Sequence, residues 1–182
     1  MNLKISLFVL PALLISVAVQ AQEKSRVSPH ETVAATIDGN EMKVVYGRPY
    51  SKDPKSGEKR KIWGTLVPFG KTWRMGADEA TLLTTAKAIE VGGTTIPAGT
   101  YSLFLLPEEN GGAKLIVNKQ TGQWGTKYDE KQDLARVDMK KSSASTPADQ
   151  FTIAIDKNDA GGGVLKVTWE ETQYSAPFTV QK

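Results

Sequence analysis

Phe151-Thr152-Ile153-Ala154-Ile155-Asp156, the turn from Asn158 to Gly163, and Leu165-Lys166-Val167-Thr168-Trp169-Glu170 form the stretch that decides the fold. Phe151, Ile153 and Ile155 alternate with Thr152, Ala154 and Asp156, and Leu165, Val167 and Trp169 alternate with Lys166, Thr168 and Glu170. A period of two puts one side of each segment in a core and the other in water, which is the pattern of paired strands. Tyr174, Ala176, Phe178 and Val180 extend it toward the C-terminus.

Working outward, the same grammar recurs. Thr32 to Ile37 and Met42 to Tyr46 flank Asp38-Gly39-Asn40, a hairpin signal. Gly47-Arg48-Pro49 stops the pairing, because proline has no N–H for the ladder. Leu82 to Thr85, Ala88 to Val91 and Thr94 to Ile96 are short runs separated by turns, Gly92-Gly93 among them. Tyr101 to Leu106 is apolar on both faces, as a central strand covered on each side should be, and Lys114 to Asn118 returns from it. Tyr128 to Asp133 has room for one helical turn. Val137 and Met139 alternate with charged neighbours and suggest an edge strand. Lys141 to Asp149 reads as a Ser/Thr/Pro-rich connection. The expected architecture is all-β: an antiparallel β-sandwich or jelly roll of nine to eleven short strands with little helix, with a lipocalin-like closed barrel as the alternative.

The first residues read as an export signal. Lys4 precedes the apolar run Leu7 to Val19, and Val19-Gln20-Ala21 offers a cleavage site after Ala21. That run is short of the ~20 residues a membrane-spanning helix needs, so an uncleaved anchor is the weaker reading. Residues 22–182 are then expected to form one β-sandwich domain, periplasmic or secreted, soluble and without a stable membrane anchor. The sequence contains no cysteine, which excludes disulfides, thiolate zinc sites and a lipid-modified N-terminal cysteine. Charge is balanced, with 23 basic and 20 acidic residues. The densest basic run, Lys52 to Lys61, is interleaved with Asp, Glu, Pro and Gly and reads as a solvated loop, so no nucleic-acid partner is expected.

Between Arg48 and Thr81 the alternation fails and special residues crowd together. Two of the four tryptophans, Trp63 and Trp73, lie here with Tyr50, Phe69, Arg48, Arg74, Asp78 and Glu79. The strings Arg48-Pro49-Tyr50, Trp63-Gly64 through Leu66-Val67-Pro68-Phe69-Gly70 to Trp73-Arg74, Gly76-Ala77-Asp78-Glu79-Ala80-Thr81, and Ile96-Pro97-Ala98-Gly99-Thr100-Tyr101-Ser102-Leu103-Phe104 resemble the bacterial domain-of-unknown-function family numbered 2911. Ser28-Pro29-His30-Glu31 is similar to that family's start. The resemblance covers nearly all of the chain beyond the leader, with a longer insertion near Asp53 to Glu58. It implies an exported envelope protein of the Bacteroidetes type and brings no activity with it.

Two readings of the segment stay open. In one, Trp63 and Trp73 anchor a long crossover in the core, and Arg74 pairs with Asp78 or Glu79. In the other, aromatic faces floor a polar cleft and stack on a sugar ring, while Arg and carboxylate groups bond its hydroxyls; the same set would suit a small anion or a peptide end. The expected function is binding of a small polar ligand such as a carbohydrate, through His30, Arg48, Tyr50, Trp63, Trp73, Arg74, Asp78 and Glu79. His30 is the sole histidine. It supports a second reading, a small hydrolase or isomerase using His30 with Asp78 or Glu79; a structural envelope protein that binds a partner is the third. No Gly-x-Ser-x-Gly elbow is present, so no catalytic residue is assigned. His30, Glu31, Asp78 and Glu79 are suitable metal-ligand types but have no signature spacing, so no metal site or cofactor is assigned. The run from Asp156 to Gly161 has Val167 where a calcium loop needs glutamate, and Gly161-Gly162-Gly163 lacks what a phosphate cradle needs; both read as a hairpin turn.

Overall fold

The computed structural model describes residues 26–182. The expected export signal and cleavage site lie outside the described residues. Among the described residues nine antiparallel strands form the fold: β1 (His30–Ile37), β2 (Asn40–Gly47), β3 (Thr81–Thr85), β4 (Ile89–Val91), β5 (Thr94–Ile96), β6 (Gly99–Pro107), β7 (Ala113–Asn118), β8 (Asp133–Lys157) and β9 (Gly163–Val180). They hydrogen-bond in the order β1-β2-β3-β6-β7-β8-β9-β4-β5. The only helical piece among the described residues is a 3-10 turn at Glu130–Gln132, within the stretch expected to hold one helical turn.

Each strand begins and ends for a local reason. Asp38 and Gly39 both have positive φ, 48° and 73°, the backbone that a tight two-residue hairpin between right-twisted strands requires. The β1–β2 register therefore runs from Ile37 opposite Asn40 to His30 opposite Gly47. β2 stops at Gly47, just ahead of Pro49. β6 lies between β3 and β7 and is buried along most of its length. Leu103 and Leu105 face the main core. Phe104, on the other face, packs with Ala80 and Ile116 in a satellite cluster that Leu106 and Tyr128 cover.

The main correction to the sequence reading concerns residues 141–149. They are not a connection but the middle of β8, which runs unbroken from Asp133 to Lys157. Val137 and Met139, read as a separate edge strand, belong to the same element, in the part that ladders with β7. From Lys140 onward β8 pairs with β9 instead. The β8–β9 register shifts twice, between Ser143 and Ala148 and between Ala148 and Thr152. Pro147 lies in the first shift, where a residue without an N–H costs the ladder nothing. Serine and threonine are at home on an exposed strand, so the composition that suggested a loop is compatible with an extended one.

The two long strands fold the sheet over on itself. Met42, Leu83, Leu115 and Val117 on one side meet Ile89, Val91, Ile96, Leu165, Ala176 and Phe178 on the other, around an apolar gap of only about 20 Å³. This is the two-faced core of a sandwich- or barrel-like β fold. At one end the two faces are tied together, where the buried Tyr46 hydroxyl accepts a 2.9 Å hydrogen bond from the Ile153 amide.

Candidate functional site

The irregular segment between β2 and β3 is pinned to this frame at a few points. Trp73 exchanges two 2.8 Å backbone hydrogen bonds with Leu105, and the Gly70 amide donates to the Pro107 carbonyl. Residues 70–73 therefore continue along β6 where β3 leaves off. Farther on, Gly125 N–H donates to the Asp78 carbonyl at 2.9 Å, and Ala80 N–H to Gln123. The Thr81 hydroxyl bonds the Met75 carbonyl at 2.6 Å. These bonds hold Arg74 to Glu79 as a rigid rim with little regular structure.

Beneath the rim the aromatic residues form one packed cluster. Trp73 stacks on Trp169, with centroids 5.6 Å apart and planes 19° from parallel. It also meets the edge of Phe151 at 4.8 Å. Trp63 stands edge-on to Trp73, Trp169 and Tyr174 at 6.3, 6.5 and 5.3 Å. Edge and offset contacts of this kind are the favoured aromatic geometries. Trp63 and Trp73 are both partly buried and packed against the core, whereas Asp78 and Glu79 face Arg26 and His30 rather than Arg74.

A cleft of about 300 Å³ opens above the cluster. Tyr50, Pro49, Leu66, Trp73 and Trp169 supply its apolar surface; Arg60, Arg74 and Asp78 supply charge. Tyr50 keeps 41 % of its surface exposed. Three hydrogen-bond donors of the wall, Arg60 Nε, Arg74 Nε and Trp169 Nε1, are buried without a partner among the described residues. Buried donors are nearly always satisfied in folded proteins, so three orphans in one cleft wall are informative.

Arg48 serves a different end. Its guanidinium reaches Glu31 at 2.6 Å, the Thr152 hydroxyl at 2.9 Å and the Phe151 carbonyl at 3.2 Å. It braces β1 and β8 across the chain entry, and lines a shallower hollow with Tyr50, Ala148 and Gln150. His30, Asp78 and Glu79 gather at the outer rim. His30 Nε2 lies 3.5 Å from Asp78 Oδ2 and 3.4 Å from Glu79 Oε2. Arg26 joins them, with Nη1 at 2.6 Å from Glu79 Oε2 and Nη2 at 3.0 Å from Oε1. That forked bond, ahead of the opposing effect of desolvation, holds the Glu79 carboxyl below its usual range.

Of the eight residues singled out in the sequence, Tyr50, Trp73, Arg74 and Asp78 line one cleft. His30 and Glu79 border it through Asp78, while Arg48 and Trp63 lie at its side and underneath. Glu31, a candidate ligand by type, is engaged by Arg48 instead. Sequence reasoning missed Trp169, which looks like any inward residue of an alternating strand, and Arg60, which lies in the charged loop assigned to solvent. It also missed Arg26, an isolated basic residue in a polar lead-in with no local signal at all.

No curated protein and no solved structure matches the chain. A family model does match, over residues 28–178, which takes in every strand but the last residues of β9, and the rim from Arg74 to Glu79. The chain therefore belongs to the family described as protein of unknown function (DUF2911).

Proposed function

We propose that this protein binds a small polar ligand of the carbohydrate class in the cleft between Tyr50, Trp73 and Arg74, and that it does so as an exported protein of the periplasm or the exterior. The observation that carries the reading is the pairing of flat aromatic surface with the two arginines Arg60 and Arg74, each with its Nε left without a partner, in one concave wall. Ring and ether oxygens or hydroxyls of a sugar are acceptors for the guanidinium groups of Arg60 and Arg74. Asp78 supplies an acceptor for its hydroxyl protons, and Tyr50 an exposed face for its C–H surface. The apolar leader with its small-residue cleavage site supports export.

The test is tryptophan fluorescence titrated with neutral and acidic mono- and oligosaccharides. Tyr50→Ala and Arg74→Gln are expected to weaken binding at least tenfold, about 1.4 kcal/mol, with the thermal melt nearly unchanged. The reading fails if no sugar perturbs the fluorescence, or if both variants bind as the wild type does. Trp73→Ala is unsuitable as a probe, because removing a ring stacked in the cluster costs about 3–5 kcal/mol of stability by itself.

A further inference from the structure

The outer rim of the cleft holds a second arrangement. His30 opens β1, whereas Asp78 and Glu79 are neighbours in the irregular segment. Adjacent residues of an extended chain point to opposite sides. Here Asp78 takes a φ of +63°, a left-handed turn that Asp tolerates better than most residues, and both carboxylates reach the same place. One donor atom from each of the three residues lies within 4.8 Å of the others.

We infer that His30, Asp78 and Glu79 are the ligands of a divalent transition-metal site of the zinc class, and that Arg26 occupies its centre when no metal is bound. Three features of the geometry support this. First, His30 Nε2 is 3.5 and 3.4 Å from the two carboxylate oxygens. Around a tetrahedral zinc with bonds of ~2.0–2.2 Å, neighbouring ligand atoms are about 3.4 Å apart. Second, a cation is already seated at that point. Arg26 Nη1 lies 3.0 Å from His30 Nε2, 2.6 Å from Glu79 Oε2 and 3.8 Å from Asp78 Oδ2. Third, a guanidinium has only protons to offer, so a hydrogen bond in the Arg26 contact uses the Nε2 lone pair of His30, the same lone pair that a metal would take.

The ligand set selects the ion. One imidazole with two carboxylates suits zinc and its transition-metal neighbours, whereas calcium takes six to eight oxygens and magnesium prefers water and phosphate. Three protein ligands leave a fourth position open. Arg26 and the metal exclude each other. Val27 and Ser28, next along the chain, form part of the cleft wall, so the two sites are neighbours. The inference stands whatever the cleft binds.

The experiment is isothermal titration of the untagged protein with zinc chloride, with calcium and magnesium chlorides as comparators and a thermal melt on every variant. One zinc per chain is expected, with weaker or no uptake of the other two ions. His30→Ala and Asp78→Asn should each weaken zinc by more than the roughly 10–100-fold that losing an outer hydrogen-bond partner of a ligand costs. Arg26→Gln should tighten it. The inference is overturned if wild type and Arg26→Gln take up no zinc, or if His30→Ala binds it as the wild type does. Because the readout is metal uptake, failure here is distinguishable from failure to bind a sugar.

Discussion

At the residue scale, the side chains with charge or ring character divide into those consumed by the fold and those left over. Arg48 and Trp63 are consumed: the first by Glu31, Thr152 and the Phe151 carbonyl, the second by three aromatic neighbours. Arg74 and Tyr50 are left over, and they line the cleft together with Asp78, whose carboxylate also faces His30 and Arg26. Tyr128 is consumed in another way, with measurable consequences. It packs on Phe104 at 4.8 Å and donates to Asp133 at 2.6 Å. Burial, and after it the hydrogen bond to Asp133, pushes its hydroxyl up to about 12 from an ordinary 10.0. The folded chain thus keeps this proton at a pH where the unfolded chain has lost it. The contribution of Tyr128 to stability is complete below pH 10 and falls as pH rises toward about 12. Urea melts across that window should show wild type losing stability more steeply than Tyr128→Phe; parallel slopes would contradict the assignment.

At the scale of elements, the rim depends on how closely the 119–127 stretch lies against residues 74–79. Gly125 marks the point of contact. A β-carbon there would come within 2.1 Å of Arg74 Cδ and 2.8 Å of the Asp78 carbonyl oxygen. The second neighbour is backbone and cannot swing aside. Gly125→Ala is expected to cost about 1–3 kcal/mol as an overpacked contact, and to weaken ligand binding by displacing Arg74 and Asp78 together. A variant of wild-type stability and affinity would show the rim to be looser than drawn. The elements themselves were largely legible in the sequence, since hairpins such as Asp38-Gly39 announce both their position and their turn. Residues 141–149 were not. Their Ser, Thr and Pro content signals a turn locally, yet two register shifts let them stay in β8 while it passes from β7 to β9.

At the scale of the molecule, one sheet acts as two facing layers, and the join between them is the weak point to test. Tyr46 on β2 accepts the hydrogen bond of the Ile153 amide on β8, and both residues are buried. Tyr46→Phe leaves that N–H without its acceptor in the core and is expected to cost about 1–3 kcal/mol, read as a lower urea midpoint at unchanged slope. An unchanged midpoint would place the join elsewhere. The family motif was readable in the sequence, and the structure carries that motif along the rim of the cleft. By itself the sequence determined the β class, most of the hairpins and the segment where regular structure fails. Those follow from the pleat of a strand and the backbone demands of turns, both local properties of the chain. Only the tertiary structure decided that Trp63 and Trp73 pack against the buried Trp169 beneath the cleft, and that Arg26, His30, Asp78 and Glu79 meet at one point. Such meetings depend on ladder register and on how a long irregular segment closes over the sheet, and neither leaves a period in the sequence.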